Sequence, residues 1–532
     1  WAGGVGLGRC HAAMVPAGHP AGGHSLPGVY AVQMAPLTSV PQHSYLQLAQ
    51  QVRRDITLKR YAPGERLPSV RALAAAQGVS VATVVRCYRH LEALGVVQAR
   101  HKSGMYVAEP APVRAAPGAK DGADPSGGPG LQARARPAVP PPVEFDRLVS
   151  LEHRMTQLYA LTTQQPLQWG LHLANAAPAW YPTEALARIA QRLLRSQPEM
   201  LGTYPTGSGL PALRTELAGW MATYGLDLQP DELLVTNGST EALNVALRAV
   251  TRPGDAVVVE SPVYFGLLQM LGNLGLRAIE LPCTPGEGMS LEALEYALEH
   301  QSGVRAVVAM PNFQNPLGHV MPDRNKRRLL RLVEQHDLAL IEDDVFGDLS
   351  HTPHRPQPVK AWDRHGRVIY CGSSSKSLAP AFRLGWTSGG RWHARMESLK
   401  LSTSLAAPWL EQAVMAEFMR SGGLQPHLRR LRERLAQTTP RAAEAVRKHF
   451  PAGTRVHSPA GGWWLWLQLP EPVDSLALLQ RAVAQGMAFT PGALFSTSAK
   501  YASYLRLNIA RPWTRELEQA VRQLGRLAAG VP

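Results

Sequence analysis

The sequence predicts a multidomain chain: a small α+β head, then a much larger α/β body that finishes in a smaller α+β lobe. Three observations carry this. The chain has 532 residues, more than one ordinary domain holds. A stretch from Pro110 to Pro142, dominated by Pro, Ala, Gly and small polar residues, separates a short patterned region from a long one. In the long region, apolar β-rich runs alternate with helical patterns as far as Arg391, as expected for helices layered on a mainly parallel sheet.

Composition narrows the class. With 45% apolar and 18% charged residues, the chain can bury a core and is not of a disordered type. The net charge of +15 is concentrated: Tyr45 to Glu109 holds ten Lys and Arg against four Asp and Glu. From Glu144 onward a similar excess is spread over a stretch about six times as long. Charge alone leaves a phosphate-facing surface and a merely solvated basic one both open. Cys10, Cys87, Cys283 and Cys371 form no paired or metal-ligand spacing, which points to a reduced, cytoplasmic protein with no metal. No apolar run is long enough to span a bilayer. Trp1 to Pro41 is rich in Gly, Ala, His and Pro and does not read as a signal peptide. Residues 1–43 are expected to be a disordered or non-native extension, with translation beginning at Met34.

The head occupies 44–109. Leu46, Leu48, Ala49, Val52 and Ile56 recur at helical spacing, which predicts an amphipathic helix over Tyr45–Thr57. Pro63 and Gly64 turn the chain. Ser69 caps a second helix that runs through Leu73 to Gln77, and Gly78 supplies its positive-φ stop. Ser80 caps a third helix over Val81–Leu94. Helix, tight Gly turn and helix form the geometry that lays the second helix in a DNA major groove. Ser80, Thr83 and Arg86 lie outward near its start. Strands Val96–Arg100 and Met105–Val107 flank His101-Lys102-Ser103-Gly104, a hairpin with a basic tip. Pattern alone also admits a three-helix bundle with a solvated basic face. The segment PGERLPSVRALAAAQGVSVATVVRCYRHLEALGVVQARHKSGMYV closely resembles the GntR-type winged helix-turn-helix along its whole length. That resemblance implies double-stranded operator DNA as partner, contacted by Arg71, Ser80, Thr83, Arg86, Arg100, Lys102 and Gly104.

Residues 110–143 lack the large apolar side chains that folding needs and read as a flexible linker. The body follows over 144–532. In open parallel sheets, ligands sit beyond the carboxyl ends of strands. Four apolar runs here end in distinct chemistry. Leu233–Val235 leads into Thr236-Asn237-Gly238-Ser239-Thr240, a helix start suited to a phosphate. Val304–Met310 leads into Asn312 and Asn315, and Leu338–Ile341 into Glu342-Asp343-Asp344. Val368–Cys371 leads into Gly372-Ser373-Ser374-Ser375-Lys376. An amine, a carboxylate, an amide and a phosphate nest at one sheet edge are what a phosphorylated pyridine aldehyde requires. Each taken alone has a plainer reading: a capped helix, a solvated or metal-binding acidic turn, a surface loop. Trp463–Leu469 and Tyr504–Ile509 are expected strands of the smaller lobe.

From about Trp169 to Leu524, the motifs YPTGSGLPALR, TNGSTEALNVALRAVTRPGDAVVVESPVYFG, PNFQNPLG, IEDDVFGDL, GSSSKSLAPAFRLGW and YLRLNIA resemble fold-type-I, class I/II aminotransferases in order and spacing. The resemblance implies a PLP-dependent transferase fold with pyridoxal 5'-phosphate as cofactor and Lys376 as the catalytic residue that forms the internal Schiff base. It implies Asp343 against the pyridine nitrogen, Asn315 donating to the phenolic oxygen and Tyr264 stacked on the ring. Gly238, Ser239, Ser373, Ser375 and Arg383 would surround the phosphate, and Tyr204 would reach a phosphate in the other subunit of a homodimer. Arg506 would pair bidentately with a ligand carboxylate. Trp463, Leu405 and Tyr204 are expected pocket walls. One position departs from the pattern, which often has Tyr three residues after the Asp. Phe346 stands there, so cofactor binding is expected to survive while transamination weakens.

Head, linker and body in this order resemble the MocR-type regulators over nearly the whole chain after its start. The resemblance implies a dimeric transcription regulator that senses an amino acid or amine effector by aldimine chemistry at Lys376. Closure of the small lobe would then re-place two heads on paired half-sites. Effector, operator, and activation against repression stay open. So do two rivals: a genuine PLP-dependent aminotransferase with a DNA-binding appendage, and a cofactor-free dimerisation scaffold, against which Lys376 argues. Phe346 favours sensing, with at most weak transamination.

Overall fold

The computed structural model describes residues 45–57, 60–62, 64–93, 96–100, 104–107, 146–148, 152–163, 166–205, 207–498 and 500–530. The chain divides into two compact units, Trp1–Ala135 and Arg136–Pro532. The expectations for 1–43, including the start at Met34, and for the linker at 110–143 fall outside the described residues.

The first unit contains α1 (Tyr45–Thr57), α2 (Val70–Gln77), α3 (Val81–Ala93) and an antiparallel pair, β1 (Val97–Arg100) and β2 (Gly104–Val107). Ser69 Oγ accepts the Ala72 N–H at 3.2 Å and so starts α2; Gly78, at φ +62, ends it. Ser80 Oγ accepts the Thr83 N–H at 3.1 Å at the start of α3. Leu48, Val52, Leu73, Val84, Leu91, Val97 and Val107 close one core from all five elements. Non-directional apolar burial of this kind fixes α3 against α1 and α2 and leaves its opposite side free.

The second unit is built on one large sheet. In chain order its main strands are β3 (Asp146–Leu148), β4 (Leu234–Thr236), β5 (Ala256–Ser261), β6 (Arg277–Thr284), β7 (Val304–Ala309), β8 (Ala339–Asp343), β9 (Val368–Ser373) and β10 (Gly385–Ser388). They lie side by side as β3-β6-β5-β7-β8-β9-β10-β4, with the short strand Gly288–Met289 against β6. The run from β6 to β9 is parallel throughout, β10 is antiparallel to both its neighbours, and β3 is antiparallel to β6. Parallel strands covered on both faces need continuous apolar runs, and all six residues of β5 are buried. Helix α4 (Gly238–Val250) follows β4 and buries Leu243, Ala246 and Leu247 against the sheet. The smaller lobe carries β11 (Arg455–His457), β12 (Trp464–Gln468), β13 (Thr490–Pro491) and β14 (Tyr504–Asn508), antiparallel in the order β11-β12-β14-β13. Strand bounds differ from the sequence reading by a residue or two. β8 and β9 each run on into their polar ends, because Asp343 and Ser373 still pair with or extend the ladder. Among the described residues, no helix is long and apolar enough to cross a membrane.

Candidate functional site

The carboxyl ends of β4, β7, β8 and β9 assemble the site. The turn from β4 into α4 passes through Gly238 at φ +77, where a Cβ would stand 2.6 Å from Arg383 Nη2. Glycine is therefore what lets the guanidinium lie against the helix start. Arg383, itself at φ +52, donates through Nη1 to Ser375 Oγ at 2.9 Å. Open N–H groups at a helix start beside a guanidinium make a seat for an anion. The three serines after β9 divide their work. Ser373 and Ser374 donate to the Leu384 carbonyl at 3.0 and 3.1 Å, and Ser373 Oγ also accepts the Ser375 N–H at 3.1 Å. Ser375 is left facing the seat.

A cavity of about 140 Å³ continues from it, with Ser239, Thr240, Ser375 and Arg383 at one end and Tyr264, Asn315, Asp343, Phe346 and Lys376 along it. Of the residues expected here, Gly238 and Ser373 brace the cavity from behind. Tyr204 and Leu405 are 79% and 44% exposed, and Trp463 is buried against Phe346 and Trp464. None of these three lines the cavity. Thr240, from the phosphate-suited helix start, lines it as well, and so do Ala174, Met310 and Val345, whose side chains carry no chemistry that a sequence pattern would flag.

Electrostatics distinguish the groups. Lys376 Nζ donates to the Ala174 carbonyl at 2.7 Å. Burial, then the nearby charges of Arg506 and Arg383, push its amine down to about 8. Burial and the charge of Asp344 push the Asp343 carboxyl up to about 7, and Asp343 Oδ1 is buried with no hydrogen-bond partner. Such an oxygen is costly to leave unmet, and a protonated ring nitrogen would satisfy it. The orphaned Asp343 oxygen, the seat at Gly238 and Arg383, and the amine of Lys376 thus fit pyridoxal phosphate. The Phe346 ring centroid lies 5.8 Å from Lys376 Nζ and 4.3 Å from Trp464, edge to face.

Arg506, on β14, is 1% exposed. It donates to Asn315 Oδ1 at 2.8 Å, Thr490 Oγ1 at 3.2 Å and the His172 carbonyl at 3.3 Å. Burial lowers it to about 10. No carboxylate among the described residues is paired with it. Asn312, the other amide after β7, belongs elsewhere. It donates to Asp344 Oδ1 at 3.0 Å and accepts from Lys326 Nζ at 2.8 Å, in a buried network that includes the Arg355–Asp344 pair at 2.7 Å. Period-two alternation along β8 is the signal that separates Asp343 from Glu342 and Asp344.

On the first unit, Arg71 and Ser80 are exposed, and Ser80 Oγ lies 2.8 Å from Thr83 Oγ1. Gly104 is at φ +118, and a Cβ there would meet Arg66 Nε at 3.1 Å. Lys102 and the side chains of Arg86 and Arg100 lie outside the described residues. Val81 and Val85 are 51% and 36% exposed on α3, one helical turn apart. Sequence reasoning passed over them because apolar residues at that spacing usually face a core.

Residues 44–107 match the bacterial regulatory proteins of the gntR family, and residues 177–524 match aminotransferase class I and II. YdcR of Escherichia coli, an uncharacterized HTH-type transcriptional regulator, is 36% identical over 484 residues, covering 91% of this chain and 98% of YdcR. The probable rhizopine catabolism regulatory protein MocR of Rhizobium meliloti is 28% identical over 454 residues, covering 85% of this chain and 86% of MocR. Among solved structures, LysN is an α-aminoadipate aminotransferase from Thermus thermophilus, complexed with N-(5'-phosphopyridoxyl)-L-leucine. It is similar with a TM-score of 0.65 and 28% identity, over 71% of this chain and 94% of LysN.

Proposed function

The chain belongs to the MocR-like DNA-binding regulators, which join a gntR-family head to a class I and II aminotransferase body, and from that membership we propose how its two units divide the work. The body holds pyridoxal phosphate and uses it to sense an amino acid or amine effector; the head, paired with a second head in a homodimer, holds operator DNA in the cytoplasm. One observation carries the reading: Arg506 is buried beside the Lys376 cavity with no carboxylate of the described chain to balance it. A cation so placed is poised for an anionic group from outside.

Bound in the cavity, pyridoxal phosphate supplies a carbonyl that exchanges one amine for another and a ring that takes up electrons. The residues of the chain do the rest. Ser239, Ser375 and Arg383 hold the phosphate. Asp343 keeps a proton at the ring nitrogen, and Tyr264 covers a ring face. Lys376 presents a neutral amine at a pH where an ordinary lysine is charged. Arg506 orients the effector by its carboxylate, at the point where the lobe strand β14 already meets the loop that carries Asn315. An effector shifts the balance between two body conformations only by its difference in affinity for them, and that difference is what reaches the heads.

The test is spectroscopic and functional together. Purified protein should be yellow, and Lys376→Ala should lose that absorption. A carboxylate-bearing amine that changes the spectrum should also change operator affinity. A protein that stays colourless with added cofactor, or an amine that alters the spectrum while DNA binding stays fixed, overturns the reading. The rival, a working aminotransferase, draws support from the complete set of Lys376, Asp343 and Arg506; multiple-turnover transamination at ordinary rates would favour it.

A further inference from the structure

Three side chains with no part in the proposed function converge beneath the sheet edge. Glu260 lies in β5, Cys283 in β6, and His319 follows Gly318 in the loop after β7. A carboxylate oxygen, a thiol sulfur and an imidazole nitrogen from these residues all lie within 4.8 Å of one another. Glu260 is 2% and His319 8% exposed. Glu260 Oε2 accepts the Met310 N–H at 3.0 Å, but Oε1 is buried with no partner, and neither imidazole nitrogen of His319 has one. Buried polar atoms are nearly always satisfied, so three unmet ones gathered beside a thiol call for a ligand.

We propose that Glu260, Cys283 and His319 bind a divalent transition metal ion of the zinc class. One oxygen, one nitrogen and one sulfur donor suit a borderline ion; magnesium and calcium would take oxygen ligands throughout. Three protein ligands leave a fourth tetrahedral position for water. The backbone holds the set in place. Gln314 N–H donates to the His319 carbonyl at 3.1 Å, and Gln314 Nε2 donates to the Pro262 carbonyl at 2.6 Å, two residues past Glu260. The ion therefore ties the ends of β5 and β6 to the loop that carries Asn315, and the thiol gives up its proton as it binds, while burial already keeps the His319 imidazole neutral.

Full-length protein, stripped with a chelator and titrated with Co²⁺, tests this. The expected result is one ion per chain with a near-ultraviolet thiolate-to-cobalt band and visible ligand-field bands, both displaced by Zn²⁺. The titration is run in a Cys10→Ser background, because Cys10, His11, His19 and His24 near the start can also take cobalt and Cys10 would supply a thiolate band of its own. Cys283→Ser should remove that band, and His319→Ala should weaken binding by about tenfold or more. A wild-type protein that shows no thiolate band overturns the proposal without reference to any variant. So does a band that, in the Cys10→Ser background, survives Cys283→Ser.

Discussion

Arg506 Nη1 donates to Asn315 Oδ1 at 2.8 Å across 191 positions of sequence, joining β14 of the smaller lobe to the loop beyond β7. Its second amino group reaches only a hydroxyl and a backbone carbonyl, so the guanidinium is solvated by neutral groups alone. An effector carboxylate would convert that neutral shell into a bidentate ion pair. Arg506→Lys keeps a charge and loses the fork. Effector binding should fall by about 1.5–3 kcal/mol, on the order of ten- to a hundredfold, while the visible absorption of the bound cofactor persists. Spectral titrations of wild type and variant with the same amino acid check it; equal affinities would remove Arg506 from the effector site.

The Lys376 amine sets a pH dependence. Only its neutral form attacks a carbonyl, and the folded chain lowers its pKa from 10.5 to about 8. Loading of pyridoxal phosphate into cofactor-free protein should therefore speed up as pH rises, reaching half its plateau near pH 8. Arg506→Gln removes one of the neighbouring positive charges and should move that midpoint upward. Stopped-flow loading rates across the neutral to alkaline range decide. The sign for stability follows from the same shift. Between the two pKa values the unfolded chain binds more protons than the folded one, so the cofactor-free protein gains stability as pH rises through that window.

Gly238→Ala places a methyl group 2.6 Å from Arg383 Nη2 on a backbone at φ +77. The guanidinium must leave the seat, and the left-handed conformation adds strain of about 1–3 kcal/mol. Affinity for pyridoxal phosphate should drop by about tenfold or more, as expected when a charge-assisted hydrogen bond is lost. Affinity for pyridoxal, which has no phosphate, should change much less. Equilibrium titration with both aldehydes separates the outcomes; an equal loss for both would place Arg383 outside the phosphate seat.

Much of this site is legible in the sequence, because apolar strands that end abruptly in polar residues mark the edge where ligands sit. Gly238, Asp343 and Lys376 each follow such a run. The caps of the head are legible for a similar reason: Ser69, Gly78 and Ser80 act on atoms three or four residues away. What the sequence hides is long-range geometry. Ser373, Ser374 and Ser375 offer one chemistry three times, and only the path of Leu384 decides which hydroxyl faces the cavity. The Arg506–Asn315 bond and the burial of Trp463 depend on how the lobe meets the large sheet, which no local pattern encodes.

Phe346 is an instance where packing and chemistry meet. Its ring is 2% exposed, sits edge to face with Trp464 and stands 5.8 Å from Lys376 Nζ. Phe346→Tyr would add one hydroxyl at the cavity wall, a donor for the phenolic oxygen of the cofactor. The pH titration of the bound cofactor's visible absorption should then shift, and any amine-exchange turnover should rise. A titration that superimposes on the wild type would show that the hydroxyl does not reach the cofactor and that Phe346 serves packing alone.

The head separates two kinds of contact. Arg71 is an exposed cation on α2, whereas Val81 and Val85, 51% and 36% exposed, put apolar surface on the free side of α3. A cation facing the phosphate backbone adds affinity without regard to sequence, while an aliphatic group in the major groove discriminates by meeting a thymine methyl. Arg71→Ala should therefore weaken operator and scrambled DNA alike and reduce the slope of log affinity against log salt by about 0.9. Val85→Ala should leave that slope unchanged and lower the preference for operator over scrambled DNA by about 1 kcal/mol. Anisotropy titrations at several salt concentrations measure both quantities at once. If Val85→Ala changed the slope, or Arg71→Ala changed the preference, α3 would not be the helix that reads the groove.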